Sequence, residues 1–309
     1  MLNALKFYSQ FNFRDVNVVK YLFKKCKNNF VDICDVCHFL FTLTIIYAII
    51  DYYKIFLTQM KTIFSIILCF AMQQVAFGQP SFVDYQKTYP RVALAMKAKE
   101  DSLKKQFAQA GLKWPAKQIY IRSFKYDSQL EVWVRNSNDE SFKLFKTYKV
   151  CAMAGAIGPK RMEGDYQVPE GFYYVNEFNP NSNYHLSLGI NYPNPSDKML
   201  SDSLKPGGDI YIHGNCVTVG CIPLQDGQIE ELYVLAANAK DQGQDFIPVH
   251  IFPIRFNIRK SFDYLARTTK NDQNLQRFAI KIKEVFDYFE DNKKLPLIFI
   301  NKKGDYVVM

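Results

Sequence analysis

Apolar positions recur with two different periods along the chain, and each change of period predicts a change of secondary structure. Apolar residues keep a helical spacing from Tyr89 to Ala110, and Gly111 follows as a stop signal. Shorter apolar runs then predict a series of strands, which are Gln118–Phe124, Leu130–Arg135, Phe142–Val150, Gly171–Val175, Tyr184–Leu188 and Asp209–Ile212.

Helical spacing returns after this strand-rich stretch. A helix is expected from Asp226, which can cap its start, to just before Gly243, and Phe246–Ile254 is expected to return as a strand. The tail predicts a second amphipathic helix and a hairpin that turns at 302–305. The apolar face of that helix would consist of Leu275, Phe278, Ile282, Val285, Phe286 and Phe289. Strands in the middle and helices on either side predict the α+β class, with a small helix-plus-hairpin appendage at the C-terminus.

Residues 60–78 have the three parts of a secretory signal peptide. Lys61 supplies a positive start, Ile63–Met72 an apolar core, and Ala76 and Gly78 the small residues before a cleavage site. Cleavage there would leave a mature chain that begins at Gln79. The protein is therefore expected to be exported to the periplasm or cell envelope.

The first 59 residues precede this signal and contain no Gly, Pro or Glu. Our hypothesis is that translation starts at Met60 and that residues 1–59 are upstream sequence. The alternative is a genuine extension whose apolar stretch Phe39–Ile50 anchors the protein in the inner membrane. Membrane contact is expected only through one of these segments. The remaining chain is predicted to divide into an N-terminal helical segment (79–117), a strand-rich central domain (118–257) and the C-terminal appendage (258–309).

Composition excludes several other classes of protein. The chain has 309 residues, 48% of them hydrophobic, which argues against disorder. Its formal charge of +9 is spread out, with no Lys/Arg run longer than a pair, so a nucleic-acid partner is not expected. A mildly basic exported protein instead suits an anionic envelope.

Reactive residues crowd together in one segment, residues 211–223. His213 closes a predicted strand, and Cys221 follows a glycine shortly before a predicted helix. N–H groups near a helix start favour negative charge, so we expect a lowered thiol pKa at Cys221. A neighbouring imidazole can then take the thiol proton, which makes the pair a candidate nucleophile and base. A buried, inert cysteine is the alternative interpretation.

This segment resembles the active-site motif of the YkuD-type L,D-transpeptidases, in which a His-Gly precedes a Ser/Thr-His-Gly-Cys element. His213 and Gly214 match the first part, and Thr218, Gly220 and Cys221 match the second. Residues 158–173, which read GPKRMEGDYQVPEGFY, resemble a second signature of the family. The resemblance covers about residues 118–255 and is greatest to the YafK-like branch, in which a helix led by an Asp follows, here Asp226.

The resemblance implies an enzyme that acts on peptidoglycan stem peptides without a metal or an organic cofactor. Cys221 would attack the bond between an L-centre and D-Ala in a tetrapeptide stem, with His213 as general base and later acid. The carbonyl of Gly214 would orient His213, and the N–H groups of Gly220 and Cys221 would form the oxyanion site. The substrate-binding residues would be Lys160, Arg161, Asn215, Thr218 and Val219.

The sequence departs from the family pattern at three places, which leaves the reaction open. Val219 stands where most relatives carry a histidine, the loop before Gly220 is short, and Pro223 replaces a common Arg or Asn. Transfer to an amine acceptor is the first prediction. Hydrolysis of a crosslink or of a protein–peptidoglycan bond is the second, and a catalytically silent peptidoglycan-binding module is the third.

The other cysteines and histidines of the mature chain have simpler interpretations. Cys151 is expected to be buried, and Cys216 to be a packed thiol, with a reversible disulfide to Cys221 or a zinc site as alternatives. The count of three cysteines suggests no disulfide framework. His185 is predicted to be structural or to line the cleft, and His250 to pack in the sheet or lie on the surface.

Overall fold

The computed structural model describes residues 33–76 and 80–309, which belong to two compact units that divide between residues 79 and 80. In the first unit, α1 is one continuous helix, Ile33–Ala76. Its stretch Phe41–Phe70 is long and apolar enough to cross a membrane. The helix is compatible with a signal peptide, although its apolar stretch starts well before Met60. Residues 1–32 and the predicted cleavage site at 77–79 lie outside the described residues.

The second unit combines six helices with ten strands. The helices are α2 (Phe82–Lys87), α3 (Pro90–Gln109), α4 (Pro195–Leu200), α5 (Asp226–Asp241), α6 (Arg259–Thr268) and α7 (Gln273–Asn292). The strands are β1 (Gln118–Phe124), β2 (Gln129–Arg135), β3 (Lys143–Lys149), β4 (Gly171–Asn179), β5 (Ser187–Ile190), β6 (Tyr211–His213), β7 (Ile222–Pro223), β8 (Ile247–Phe252), β9 (Ile298–Ile300) and β10 (Tyr306–Val308). The predicted α+β class is confirmed.

Eight strands form one sheet in the order β3-β2-β1-β8-β4-β5-β6-β7. Neighbours are antiparallel except at β1–β8 and β6–β7, which run parallel. The predicted hairpin at the C-terminus is present as the antiparallel pair β9–β10. The edge strand β7 is only two residues long, and it directly follows the loop at 214–221, which carries Cys221.

Apolar side chains cover the two faces of this sheet with different elements. Helices α2, α3 and α5 pack on one face, where Leu103, Phe107, Leu232 and Tyr233 are fully buried. On the opposite face, α7 covers β1 and β8 through a second cluster that includes Phe124, Phe252, Val285 and Phe286. Leu275 and Phe278, predicted to point inward, are only half-buried.

A buried ionic cluster fastens α7 to the sheet. Arg122 on β1 binds Glu131 on β2 at 2.5 Å and Glu290 on α7 at 2.6 Å. Glu131 also accepts hydrogen bonds from Arg255 and from the indole N–H of Trp133. Two cations and an indole donor therefore surround one buried carboxylate, which offsets much of the cost of removing it from water.

Two predicted strands begin two or three residues later than expected, and for the same physical reason. The strand predicted at Tyr184–Leu188 begins only at Ser187, because His185 takes a left-handed backbone conformation with φ +71°. The strand predicted from Asp209 begins at Tyr211, since Asp209 has φ +55°. A left-handed residue cannot continue an extended strand. Helices α2 and α4 have only six residues each, too few to leave a clear apolar period, and they were not predicted. The ten-residue helix α6 was also missed.

Candidate active site

The pairing of β6 with β7 brings the segment that carries the predicted nucleophile next to the strand that carries the predicted base. Ile212 pairs with Ile222 and His213 with Pro223, so Cys221 lies beside Tyr211, one step earlier in the parallel register. Side chains alternate between the two faces along a strand. Tyr211 and His213 therefore share a face of β6, while Ile212 and Ile222 point into the core. Cys221 immediately precedes β7, and its sulfur lies against the backbone of Tyr211.

His213 is held in one tautomer by its neighbour. Its Nδ1 lies 2.6 Å from the carbonyl oxygen of Gly214, and a carbonyl can only accept, so Nδ1 carries the proton. Nε2 is then the unprotonated nitrogen in the neutral ring, ready to accept a proton. Burial lowers the pKa of His213, and the hydrogen bond to Gly214 acts in the opposite direction. The predicted contact with Gly214 is present, and its catalytic role stays a prediction.

The thiol of Cys221 is half-buried and bonded to backbone groups. The N–H of Tyr211 donates to Sγ at 3.4 Å, and Sγ lies 3.6 Å from the carbonyl oxygen of Asp209. Burial raises the thiol pKa, while the Tyr211 N–H and the Lys160 ammonium act to lower it. The expectation of a lowered pKa is therefore wrong. Along the chain, β7 and residues 224 and 225 lie between Cys221 and the start of α5.

Thr218 shapes the turn that presents Cys221. Its hydroxyl donates to the Cys221 carbonyl at 2.7 Å and accepts from the Gly220 N–H at 3.0 Å. Gly220 has φ +149°, and a Cβ there would lie 3.2 Å from the carbonyl oxygen of Gln167. Because Thr218 already engages the Gly220 N–H, the Cys221 N–H is the stronger oxyanion candidate. It makes no hydrogen bond within residues 80–309.

Asp226 holds the other end of the same loop. The N-cap of α5 is Gln225, not Asp226, and the Asp226 carboxylate instead accepts the Asn215 N–H at 2.8 Å. A Cβ on Gly214 would come within 2.6 Å of that carboxylate oxygen, so only glycine fits there. Asn215 has φ +55°, and its backbone N–H donates to Asp226. Its role in substrate binding stays a prediction.

A disulfide joins Cys151 to Cys216, with 5.3 Å between their Cα atoms. The predictions of a buried Cys151 thiol, of a packed Cys216 thiol and of a Cys216–Cys221 bridge are all wrong, because Cys151 is half-buried and bonded to Cys216. The physical reason is that the Cys151 N–H donates to Pro223 of β7, which brings the end of β3 next to the motif loop. Cys221 keeps a free thiol. With Cys216 oxidised, the zinc alternative loses a ligand.

The loop at 158–170 is stabilised by two buried lysines. Lys125 donates to the carbonyls of Ala156, Gly158 and Val168 and pairs with the fully buried Glu170 at 3.0 Å. Lys160 is also buried and pairs with Asp165, whose pKa is lowered by this bond and by backbone donors despite the opposing effect of burial. The loop conformation therefore depends on these internal ion pairs.

Arg161 and Val219 lie in different settings. Arg161 lies 3.5 Å from Asp197, and burial of that carboxyl raises its pKa to about 6. Val219, which stands where most relatives carry a histidine, is 69% exposed at the rim of the loop. Lys160 and Arg161 are both engaged by carboxylates, and whether they and Val219 contact substrate stays a prediction.

Sequence reasoning missed Tyr184, which packs against His213. The Tyr184 ring lies over His213, with 4.7 Å between centroids. His185 beside it binds Glu230 at 2.9 Å, so it is structural in this conformation. His250 packs in the sheet as predicted, with Tyr120 at 3.0 Å and a pKa lowered by burial to about 3. The aromatic Tyr184 next to a noted histidine was the available signal.

Comparison with known proteins identifies the family of the chain. The family model of the YkuD L,D-transpeptidase catalytic domain matches residues 124–251. YafK of Escherichia coli (strain K12), whose name places it among the L,D-transpeptidases, is 33% identical over 192 residues, 62% of this chain and 73% of YafK. The YafK of Escherichia coli O157:H7 gives the same values.

Two solved structures are also similar. The helical cell shape determining protein Pgp2 of Campylobacter jejuni aligns with a TM-score of 0.35 and 20% identity, over 63% of this chain and 79% of Pgp2. Bd1075 of Bdellovibrio bacteriovorus aligns with a TM-score of 0.33 and 19% identity, over 60% and 78%. The family model and the YafK match together show that this chain belongs to the YkuD family of L,D-transpeptidase domains.

Proposed function

We propose that the protein is a cysteine-dependent L,D-transpeptidase that acts on tetrapeptide stems of peptidoglycan. The observation that carries this proposal is the β6–β7 pairing, which sets Cys221 beside Tyr211, two residues before His213, whose Nδ1 is bound to the Gly214 carbonyl. This arrangement supplies a nucleophile and a proton acceptor of defined tautomer on adjoining segments of the sheet. Membership of the family supplies the substrate class.

The first half of the reaction breaks an amide and forms a thioester. The Cys221 thiol gives its proton to Nε2 of His213 as sulfur attacks the carbonyl carbon between the L-centre and D-Ala. Because the thiol pKa is raised by burial, this transfer accompanies the attack and does not precede it. The developing oxyanion would be stabilised by the Cys221 N–H. His213 then returns the proton to the departing D-Ala amine.

The second half releases the acyl group. An acceptor amine attacks the thioester, loses a proton to His213 and forms the crosslink, and the sulfur leaves and regains its proton as a thiol. If water attacks instead, the product is a shortened stem with a free carboxylate. The atoms balance in both cases without a cofactor.

Hydrolysis is the second candidate function, and Val219 is the observation that favours it. A histidine at this position would offer a polar group to an acceptor amine, whereas the exposed valine offers none. Water needs no such group. The site would then act as an L,D-specific carboxypeptidase, or as an endopeptidase or amidase on existing crosslinks.

The test is incubation of the purified full chain in detergent with muropeptides, followed by mass analysis of the products, with Cys221→Ala as control. Release of D-Ala with new crosslinks that the variant does not form supports transpeptidation. Release of D-Ala or of a linked group without new crosslinks supports hydrolysis. If no product depends on Cys221, both enzymatic proposals fail, and a thiolate-directed carbapenem should then leave Cys221 unmodified, as expected of a silent binding module.

Localisation follows from the same set of observations. The apolar helix α1 is compatible with a signal peptide, the family acts in the cell envelope, and the Cys151–Cys216 disulfide suits an oxidising compartment. We infer that the catalytic unit works outside the cytoplasm, in the periplasm or cell envelope.

A further inference from the structure

An aromatic pocket lies where β8 begins, apart from the residues that surround Cys221. Phe246 directly precedes β8 and is 65% exposed, and its ring meets that of Tyr174 edge-to-face with 4.9 Å between centroids. Together with Asn176, Lys240 and Asp245 these rings line a pocket of about 480 Å³. A large apolar ring left this open next to polar groups is typical of a ligand site.

The pocket exists because two neighbouring strands differ in length. β4 continues to Asn179, but its pairing with β8 ends at Val175, opposite Ile247. Residues 176–179 at the end of β4 therefore have no partner in β8. The chain that leads into β8 leaves the sheet at Phe246. The pocket follows from the sheet itself and needs no movement to open.

A narrow strip of small and polar groups connects this pocket to the nucleophile. Its floor is the pair formed by Tyr211 and Glu177, in which the Tyr211 hydroxyl donates to the Glu177 carboxylate at 2.9 Å. Gly189 on β5 is buried beneath this pair, since a Cβ there would lie 3.0 Å from Cβ of Glu177 and 3.1 Å from the Tyr211 ring. Tyr211 in turn donates its N–H to the Cys221 sulfur. Tyr174, Gly189 and Tyr211 lie on the face opposite the core residues of their strands. The aromatic edge of the pocket, the glycine and the strand residue beside the thiol thus follow one another across β4, β5 and β6.

The length of this strip matches the length of a stem peptide. Adjacent strands lie about 4.8 Å apart, so the three steps from β7 to β4 cover about 14 Å. In a tetrapeptide stem, three residues separate the cleaved bond from the sugar, and in extended form they span about 10 Å. The short linker to the sugar supplies the rest. A stem with its reacting carbonyl at Cys221 would place its sugar at Phe246.

We propose that the pocket at Tyr174 and Phe246 is a subsite for the N-acetylated amino sugar that carries the stem peptide. The inference rests on the proposed function, because it takes the peptide to be bound at Cys221. The exposed ring of Phe246 offers a flat apolar surface to the C–H face of a pyranose ring. Asn176, Asp245 and Lys240 offer the donors and acceptors that hydroxyl and acetamido groups require.

The first experiment compares two substrates of the full chain in detergent. D-Ala release is measured from a disaccharide-tetrapeptide and from the free tetrapeptide of the same sequence, and the ratio of the two kcat/KM values is the readout. We expect wild type to favour the sugar-bearing substrate at least tenfold, and Phe246→Ala to reduce that ratio about tenfold through KM. Phe262→Ala, which removes another exposed ring on α6, should leave the ratio unchanged. A wild-type ratio near one, or a ratio unchanged in Phe246→Ala, would overturn the subsite.

The second experiment separates failure of the subsite from failure of the proposed function. Calorimetric titration with the peptide-free disaccharide needs no catalysis. We expect wild type and Cys221→Ala to bind it with similar dissociation constants. Phe246→Ala and Asn176→Ala should each raise that constant at least fivefold. Binding that persists when no D-Ala is released would retain the subsite and refute the transpeptidase. Absence of disaccharide binding together with a wild-type ratio near one would refute the subsite and leave Cys221 chemistry intact.

Discussion

Burial acts on the two titrating residues of the site in opposite directions. It raises the pKa of the Cys221 thiol and lowers the pKa of His213, because removal from water disfavours the charged form of each. At neutral pH the pair therefore rests as a thiol and a neutral imidazole. Cys221 becomes a thiolate only as its proton moves to His213.

The pH dependence of Cys221 alkylation tests this resting state. We expect the rate with iodoacetamide to rise about tenfold per pH unit from about pH 6 to about pH 9, because the thiolate fraction grows with pH until it reaches the raised thiol pKa. The rate is measured by peptide mass analysis, with Cys221→Ala as the background for other cysteines. A plateau of fast alkylation that starts below pH 7 would reveal a preformed thiolate–imidazolium pair.

The reactive residues His213 and Cys221 could be predicted from sequence because they lie only eight residues apart in one motif. The disulfide could not, since Cys151 and Cys216 are 65 residues apart and only the folded β3–β7 contact brings them together. The left-handed residues His185 and Asp209 were also missed. Neither is a glycine, so their strand-like neighbours gave no sign that the strands start late.

At the scale of secondary-structure elements, the disulfide joins the end of β3 to the loop before Cys221. It closes a long loop of the chain, and such a crosslink lowers the entropy of the unfolded state. We expect reductant to lower the free energy of unfolding by about 2–4 kcal/mol, measured by urea denaturation.

The control for this measurement is the double variant Cys151→Ser, Cys216→Ser. Reductant should leave its unfolding midpoint unchanged, since Cys221 is then the only cysteine left in residues 80–309. A wild-type midpoint that does not respond to reductant would show that the bridge is absent or does not stabilise the fold.

The ionic cluster between β1, β2 and α7 gives a second prediction at this scale. Glu131→Gln leaves Arg122 and Arg255 without the carboxylate that they share, so we expect a loss of about 3 kcal/mol in unfolding free energy. Glu284→Gln removes an exposed pair with Lys281 and should cost less than about 1 kcal/mol. Equal losses in the two variants would contradict the interpretation of the buried cluster.

At the scale of the whole molecule, the α+β class and the order of most elements along the chain could be predicted from the change of apolar period. The order of the strands within the sheet could not. β1 pairs with β8, more than 120 residues later, and no local pattern records that parallel pairing. The two faces of the sheet are likewise a long-range property. The open strip at Cys221 exists because α7 covers β1 and β8 but not β5 to β7.

The last prediction concerns whether the N-terminal unit is removed from the natively expressed protein. If residues 60–78 are a signal peptide, the natively expressed protein should start at Gln79 and be recovered without detergent. Mass analysis of its N-terminal peptide measures this. Any peptide from residues 1–59 would refute the hypothesis of a start at Met60 and favour the membrane anchor, for which Phe41–Phe70 in α1 is long enough.

The most direct test of the central claim is to detect the acyl-enzyme itself. Full chain mixed with a tetrapeptide substrate and quenched in acid should gain the mass of the stem without its D-Ala, on the peptide that contains Cys221, and hydroxylamine should remove this mass. Cys221→Ala should gain nothing, and His213→Ala should gain it far more slowly. An adduct on any other residue would contradict cysteine catalysis at this site. Turnover that persists in Cys221→Ala without an adduct would contradict it as well.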